Sequence, residues 1–328
     1  MSLADAWGRQ EAGRRPHGVS AVLLPYDPDG TMDWESFERH IARTHAAGLA
    51  VAVNMDTGFG DLLSAVEREE VLDRTRAVLE PGTRFYAGAF TDDDAGPVPA
   101  YHRAVDAIVG RGAVPVIVQC VAMRGLAGDE LAALYRRIVE PAPEVIAFEL
   151  NPVFAAHGAI WDDDTFRRLL DVPGIVGAKH SSLDRALELQ RLADRDRHRP
   201  DFRLYTGNDL GVDMVAFGSD YLLGLSTFAP EAFAARDAAL AAGDLAFIGL
   251  NDDLQHLGNV GFRAPVPAYK HAAAQFLHLT GGLPHDGVHP RAARRPGSDR
   301  VILLDCAVRL GMVDDVERTW RERVEPWL

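Results

Sequence analysis

Apolar runs recur along the chain at a near-constant interval. They fall at 18–24 (GVSAVLL), 49–55 (LAVAVNM), 84–90 (RFYAGAF), 113–119 (AVPVIVQ), 144–150 (EVIAFEL), 174–179 (GIVGAK), 203–207 (RLYTG) and 220–225 (DYLLGL). Most are continuously apolar rather than alternating, the pattern of strands buried on both faces of a parallel sheet. Helical patterns separate them. Trp34 to Ala47 carries Phe37, Ile41 and Thr44 on one face, and Ser64 with Glu67 forms a capping-box signal ahead of Val71, Leu72 and Val78. Leu131–Val139, Phe166–Leu170 and Leu183–Leu192, the last opened by Ser181 or Ser182, continue the alternation. Eight strand–helix units of roughly 30 residues predict a TIM (β/α)8 barrel. An open doubly wound sheet is the alternative, but no Gly-rich dinucleotide fingerprint follows the first strand.

After the eighth run the pattern turns helical. Pro230 stands at a first helical position, and further helices are predicted near 244–258, 267–280, 300–311 and 314–325. The stretch 281–299, rich in Gly, Pro and Arg, reads as a loop. The predicted organisation is a polar lead-in (1–16), a barrel (17–240) and a C-terminal helical region (241–328).

Charge and cysteine content narrow the function classes. The 34 basic and 48 acidic residues give a net charge of −14, which argues against coating nucleic acid or an anionic membrane. The longest apolar runs are too short to span a bilayer, and the N-terminal segment lacks the apolar core of a secretory signal. The two cysteines, Cys120 and Cys306, exclude a disulfide scaffold or a Cys-rich zinc site and fit a cytoplasmic location. Among the 34 basic residues only Lys179 and Lys270 are lysines. Arginine cannot lose its proton in a protein, whereas lysine can become an amine nucleophile.

Barrel active sites lie at the C-terminal ends of the strands. The polar residues ending the runs are Asp56 and Thr57, Gln119, Glu149 and Asn151, Lys179 and His180, Gly207, Asn208 and Asp209, and Ser226 and Thr227. Lys179 ends the apolar run GIVGA, where burial lowers an amine pKa. It is either a Schiff-base nucleophile or half of a structural ion pair with Glu149 on the neighbouring strand. His180, next to it, is expected to face away from the barrel centre. Lys270 reads as surface or interface, Asp92, Asp93 and Asp94 as a solvated loop, and Asp162, Asp163 and Asp164 as a helix start.

Five segments, in order and spacing, resemble the dihydrodipicolinate synthase / N-acetylneuraminate lyase family of Schiff-base aldolases: GVSAVLLPYDPDGTMD, MDTGFGDLLSAVEREEV, GIVGAKHSS, YTGNDLGVDMVAFGSDYLLGLST and APVPAYKHAAAQFLHLTGG. The resemblance covers most of residues 17–280. It implies a TIM barrel with a C-terminal helical bundle, a homo-oligomer (tetramer or dimer), and aldol or dehydration chemistry on an α-keto acid with no cofactor. It implies that Lys179 forms the imine and that Thr57 and Gly58 hold the substrate carboxylate. Gly207, Asp209 and Ser226 match positions that contact the hydroxyl chain in sugar-acid members, so a sugar-derived keto acid is expected; Asn208 and Asp56 complete the substrate-binding set.

The chain departs from the family pattern at several positions. Glu149-Leu150-Asn151-Pro152 stands where a Tyr-Asn-x-Pro pattern supplies a proton-shuttling tyrosine, so Glu149 is taken as the acid/base. No tyrosine occurs between Val114 and Leu134, and Ala155, Ala156 and His157 stand where dihydrodipicolinate synthases carry an arginine. Asp56 replaces a Thr or Ser, and Phe59 a Glu; a carboxylate at Asp56 would repel the substrate's own. Two further classes stay open: a divalent-metal lyase or isomerase using Glu149, Asp209 and perhaps Asp56 or His180, and a non-catalytic ligand-binding barrel.

Overall fold

A computed structural model describes residues 2–91 and 96–328; the Asp92–Asp94 run lies outside the described residues. The predicted barrel is borne out. Strands β1 (Gly18–Ala21), β2 (Ala50–Val53), β3 (Phe85–Ala89), β4 (Ala113–Ile117), β5 (Val145–Leu150), β6 (Ile175–Ser181), β7 (Arg203–Thr206) and β8 (Asp220–Leu223) pair in parallel and in sequence order, and β8 closes on β1.

Helices α1 (Leu3–Trp7), α2 (Trp34–Ala46), α3 (Ala65–Val78), α4 (Pro97–Val109), α5 (Gly128–Ile138), α6 (Asp163–Leu170), α7 (Arg185–His198) and α8 (Pro230–Ala242) follow in order, α1 lying inside the predicted lead-in. The capping box of Ser64 and Glu67 opens α3, and Asp162 caps α6 through the Thr165 amide. The start of α7 differs from expectation. Its cap is Asp184, whose carboxylate accepts from the Ala186 and Leu187 amides, because β6 runs through Ser181 and Leu183 makes a left-handed turn at φ 61°.

Continuous apolarity has the physical reason anticipated: each strand is buried on both sides. One core fills the barrel with Val19, Ala52, Val116, Phe148, Tyr205 and Leu222. A second, larger core lies between the sheet and the helices. Beyond α8 come α9 (Ala246–Gly261), α10 (Tyr269–Leu279) and α11 (Asp299–Arg309), with 281–298 free of helix and strand. Ten of the eleven α10 residues are buried, so this helix belongs to the core. Among the described residues no helix is long and apolar enough to cross a membrane.

Candidate active site

Strand alternation decides which strand-end residues face the barrel centre. In the β5–β6 ladder Phe148 is opposite Lys179 and Glu149 is opposite His180, while Lys179 is in turn opposite Tyr205 of β7. Phe148 and Tyr205 belong to the barrel interior, so Lys179 points inward. Glu149 and His180 point outward, under the helices.

Lys179 is 8% exposed. Its Nζ lies 4.4 Å from the centre of the Phe148 ring, a cation–π contact when charged. Burial pushes the amine down to about 8, against the opposing pull of the Asp209 and Asp56 carboxylates. Gly207 makes room for it. A Cβ there would come within 2.8 Å of Lys179 Cε and collide with Ser181 Oγ. Gly207→Ala is therefore expected to displace the lysine and slow imine formation at least about tenfold while the protein stays folded, because misplacing a reacting group costs rate steeply. Adduct kinetics alongside circular dichroism check this.

Asp209, after β7, is buried and accepts the Leu225 amide at 2.7 Å. Desolvation raises its carboxyl to about 7, although the Leu225 bond and the Lys179 charge act in the other direction. Lys179 and Asp209 feel each other's charge across the mouth, with no direct hydrogen bond or ion pair between them.

Asp56, Thr57 and Gly58 form a single helical turn after β2, ended by Phe59 in the left-handed region at φ 58°. The turn is met by the start of α10. Tyr269 Oη donates to Asp56 Oδ2 at 2.8 Å and, having one proton, accepts from Thr57 Oγ1 at 2.9 Å. Lys270 Nζ donates to Asp56 Oδ1 at 2.8 Å. Burial holds the Tyr269 hydroxyl well above its ordinary range, with the Asp56 charge adding to the effect, so it stays protonated.

Three sequence expectations need correction. Glu149 does not meet Lys179. It is fully buried and receives the Trp161 amide (2.9 Å), Arg191 Nη2 (3.1 Å) and His180 Nδ1 (2.5 Å). Burial alone would raise its pKa, but His180 and Arg191 outweigh burial and hold it below the usual carboxylate range. His180 Nε2 lies 2.6 Å from the Ser182 hydroxyl, so both ring nitrogens are occupied. The inward residues ending β5 are instead Phe148 and Leu150, both apolar.

Lys270 is also misplaced by the sequence reading. It is 5% exposed and paired with Asp56. Its scarcity was the available signal, since the argument that singled out Lys179 applied equally to it. The ammonium offsets the Asp56 charge, which removes the repulsion expected against a substrate carboxylate.

The third correction concerns the metal alternative. Glu149 and His180 lie outside the sheet, whereas Asp56 and Asp209 lie at the inner mouth. Among the described residues no group of three or more His, Cys, Asp or Glu could hold a metal ion.

The remaining sequence candidates are spent locally. Asn208 Oδ1 accepts the Leu210 amide, and Ser226 Oγ, fully buried, donates to the Leu223 carbonyl. The Gln119 amide bonds both polar groups of Ala159. Gly58 lies against Val22, whose carbonyl would be 3.1 Å from a Cβ.

The fold is a barrel of the dihydrodipicolinate synthase type, as the sequence resemblance implied. The Thermotoga maritima dihydrodipicolinate synthase superposes with a TM-score of 0.78 at 20% identity, covering 92% of this chain and all of that one. The Acinetobacter baumannii enzyme, solved with pyruvate, matches at 0.78 and 21% over the same shares. YagE, an Escherichia coli K12 prophage protein of the dihydrodipicolinic acid synthase family solved with pyruvate, gives 0.79 at 17%, covering 90% and 99%. The chain belongs to the family described as "Protein of unknown function (DUF993)", whose model matches residues 15–322. A DapA-like lyase of Pyrococcus abyssi is 24% identical over 217 residues, 65% of this chain and 70% of that protein.

Proposed function

We propose that the protein is an imine-forming lyase that acts on an α-keto acid through Lys179. The observation that carries this reading is a buried inward lysine at the barrel mouth, with its amine drawn down to about 8, at the same mouth as a buried carboxyl drawn up to about 7 whose charge it feels. Two relatives of the same fold are described with pyruvate, and a third is named a lyase; both facts support it.

In this reading the neutral Lys179 amine attacks the keto carbon and gives a carbinolamine. Asp209, protonated, gives its proton to the departing hydroxyl, so water leaves and a protonated imine forms opposite the new carboxylate. In C–C cleavage the protonated imine accepts the pair of the breaking bond while Asp209, now a carboxylate, takes the proton of the hydroxyl that becomes a carbonyl. In C–O cleavage Asp209 first takes a proton from the carbon beside the imine, the C–H pair enters the imine, and the resulting enamine expels the oxygen together with the C–O pair. The substrate carboxylate is placed at the Asp56–Gly58 turn by the positive charge of Lys270, which offsets Asp56; the Thr57 hydroxyl is given to Tyr269 and the Gly58 amide to the Met55 carbonyl. Tyr269, tied to both Asp56 and Thr57, keeps that turn in place. This assigns to Asp209 the acid/base role that the sequence gave to Glu149.

The test is the pH dependence of imine formation with pyruvate. Neutral Lys179 is needed and is gained as pH rises through about 8. Protonated Asp209 is needed and is lost as pH rises through about 7. The rate is expected to peak between the two values and fall on both sides. Asp209→Asn removes the proton donor and the charge that holds the Lys179 pKa up. The rising limb should therefore move to lower pH and the maximal rate should fall about 10²–10⁴-fold. A variant with unchanged rate and unchanged limb would remove Asp209 from the mechanism.

A further inference from the structure

One ring away from Lys179 lies a cavity of about 220 Å³ formed by the loops after β2, β3, β4 and β5. Phe148 joins the two: one face carries the Lys179 amine at 4.4 Å, and the same side chain lines the cavity together with Phe90, Val118, Leu150 and Phe154. Three of these five wall residues are phenylalanines. Asp56, which borders the amine electrostatically, also lines the cavity.

Five polar side chains line this wall, Asp56, Asp61, Thr91, Gln119 and His157; burial raises the Asp61 carboxyl above its ordinary range, and Asp56, Gln119 and His157 are committed elsewhere. Asp56 is held by Tyr269 and Lys270. Gln119 spends its amide nitrogen and its oxygen on Ala159. His157 Nε2 donates to the Gln119 backbone carbonyl at 2.8 Å. On the other side of the mouth, Ser226 and Asn208 are bonded to backbone groups. A polyhydroxylated chain presents a donor and an acceptor on nearly every carbon, and burying those groups without partners is costly. An apolar body loses nothing there and gains the burial of its own surface. The size is also suitable, since an apolar cavity of about 150 Å³ holds a benzene molecule.

We propose that the substrate portion beyond the keto carbon is a compact apolar group, a single ring or a branched hydrocarbon, seated against Phe90, Phe148 and Phe154. This rests on the imine reading for the position of the keto carbon, and it departs from the sugar-derived substrate that sequence resemblance implied. The site then combines a positive charge at Lys270 beside the Asp56–Gly58 turn, a nucleophile at Lys179, and an aromatic end.

Two measurements test it. In the first, borohydride trapping is run with pyruvate, 2-oxo-4-phenylbutanoate and 2-keto-3-deoxygluconate. The half-saturating concentration for the phenyl compound should be about ten- to hundred-fold lower than for the sugar acid, the increment for burying a phenyl-sized group. Phe154→Asn, at a partly buried wall position, should erase that preference. In the second, 4-phenylbutanoate and gluconate, neither able to form an imine, are titrated calorimetrically into the same protein. Tighter binding of the phenyl compound, lost in Phe154→Asn, supports the apolar seat whatever the covalent step does. Equal or better binding and trapping of the hydroxylated compounds overturns it. The same overturning follows if folded Phe154→Asn keeps the phenyl preference. A phenyl preference in calorimetry with no adduct from any keto acid keeps the cavity assignment and rejects the imine reading.

Discussion

Replacing Lys179 by arginine is expected to abolish imine formation, with turnover falling at least about a thousandfold and the fold retained. Arginine preserves the positive charge beside Asp209 and Asp56 and nearly the length of the side chain, but its guanidinium cannot lose a proton and cannot add to a carbonyl. A loss of three powers of ten corresponds to about 4 kcal/mol of transition-state stabilisation, which electrostatics alone would not remove here because the charge is kept. Lys270→Arg supplies the contrast. It keeps a cation beside Asp56, whose Oδ1 accepts from Lys270 in the parent at 2.8 Å, so both carboxylate binding and the covalent step should survive. Single-turnover adduct kinetics on the two variants separate the roles. Loss of the adduct in Lys270→Arg with its persistence in Lys179→Arg would exchange the two lysines in the account.

The second large effect concerns stability. Glu149→Ala should cost about 3–5 kcal/mol, because it removes the buried carboxylate that His180, Arg191 and the Trp161 amide share and leaves the fully buried Arg191 guanidinium only the more exposed Asp163 as a charged partner. The rate of imine formation in the folded variant should stay close to that of the parent protein. The pH dependence follows from the depressed pKa of Glu149. A carboxyl held lower in the folded state than in the unfolded one stabilises the fold above its unfolded pKa, and that contribution disappears as pH falls through the folded value. The parent should therefore lose stability toward acid more steeply than Glu149→Ala, as read by urea unfolding across that range. If Glu149→Ala unfolds at the same urea concentration as the parent but no longer forms the adduct, the outward placement of Glu149 is wrong and its acid/base role returns.

The barrel was legible because its signal is repeated eight times, so an error in one strand hardly affects the conclusion. Lys179 was legible because a lysine ending an apolar run has few other reasons to be there. The side on which Glu149 stands was not. Alternation says that Phe148 and Glu149 oppose each other, but which of them shares the barrel interior with Lys179 depends on the β5–β6 register, in which Phe148 lies opposite Lys179. Register is a tertiary property, and a shift by one residue reverses every assignment. Tyr269 and Lys270 were missed for a related reason. They lie more than 210 residues from Asp56 along the chain, and local periodicity does not say where a helix beyond the barrel returns. Asp209 was found by position but read as a hydroxyl contact, since its altered acidity comes from burial that a sequence does not display. The cavity is likewise assembled from four separate segments, which contribute between two and five side chains each with no pattern of their own.

The measurement closest to the central claim is borohydride reduction of the parent protein in the presence of pyruvate, followed by peptide mass mapping. The chain contains only two lysines, so the assignment is close to binary. The account predicts a single reduced pyruvyl adduct on the peptide containing Lys179, absent from the Lys179→Arg variant and present in Lys270→Arg. An adduct confined to Lys270, or a folded protein that yields no adduct with pyruvate or with any other keto acid supplied, would contradict it.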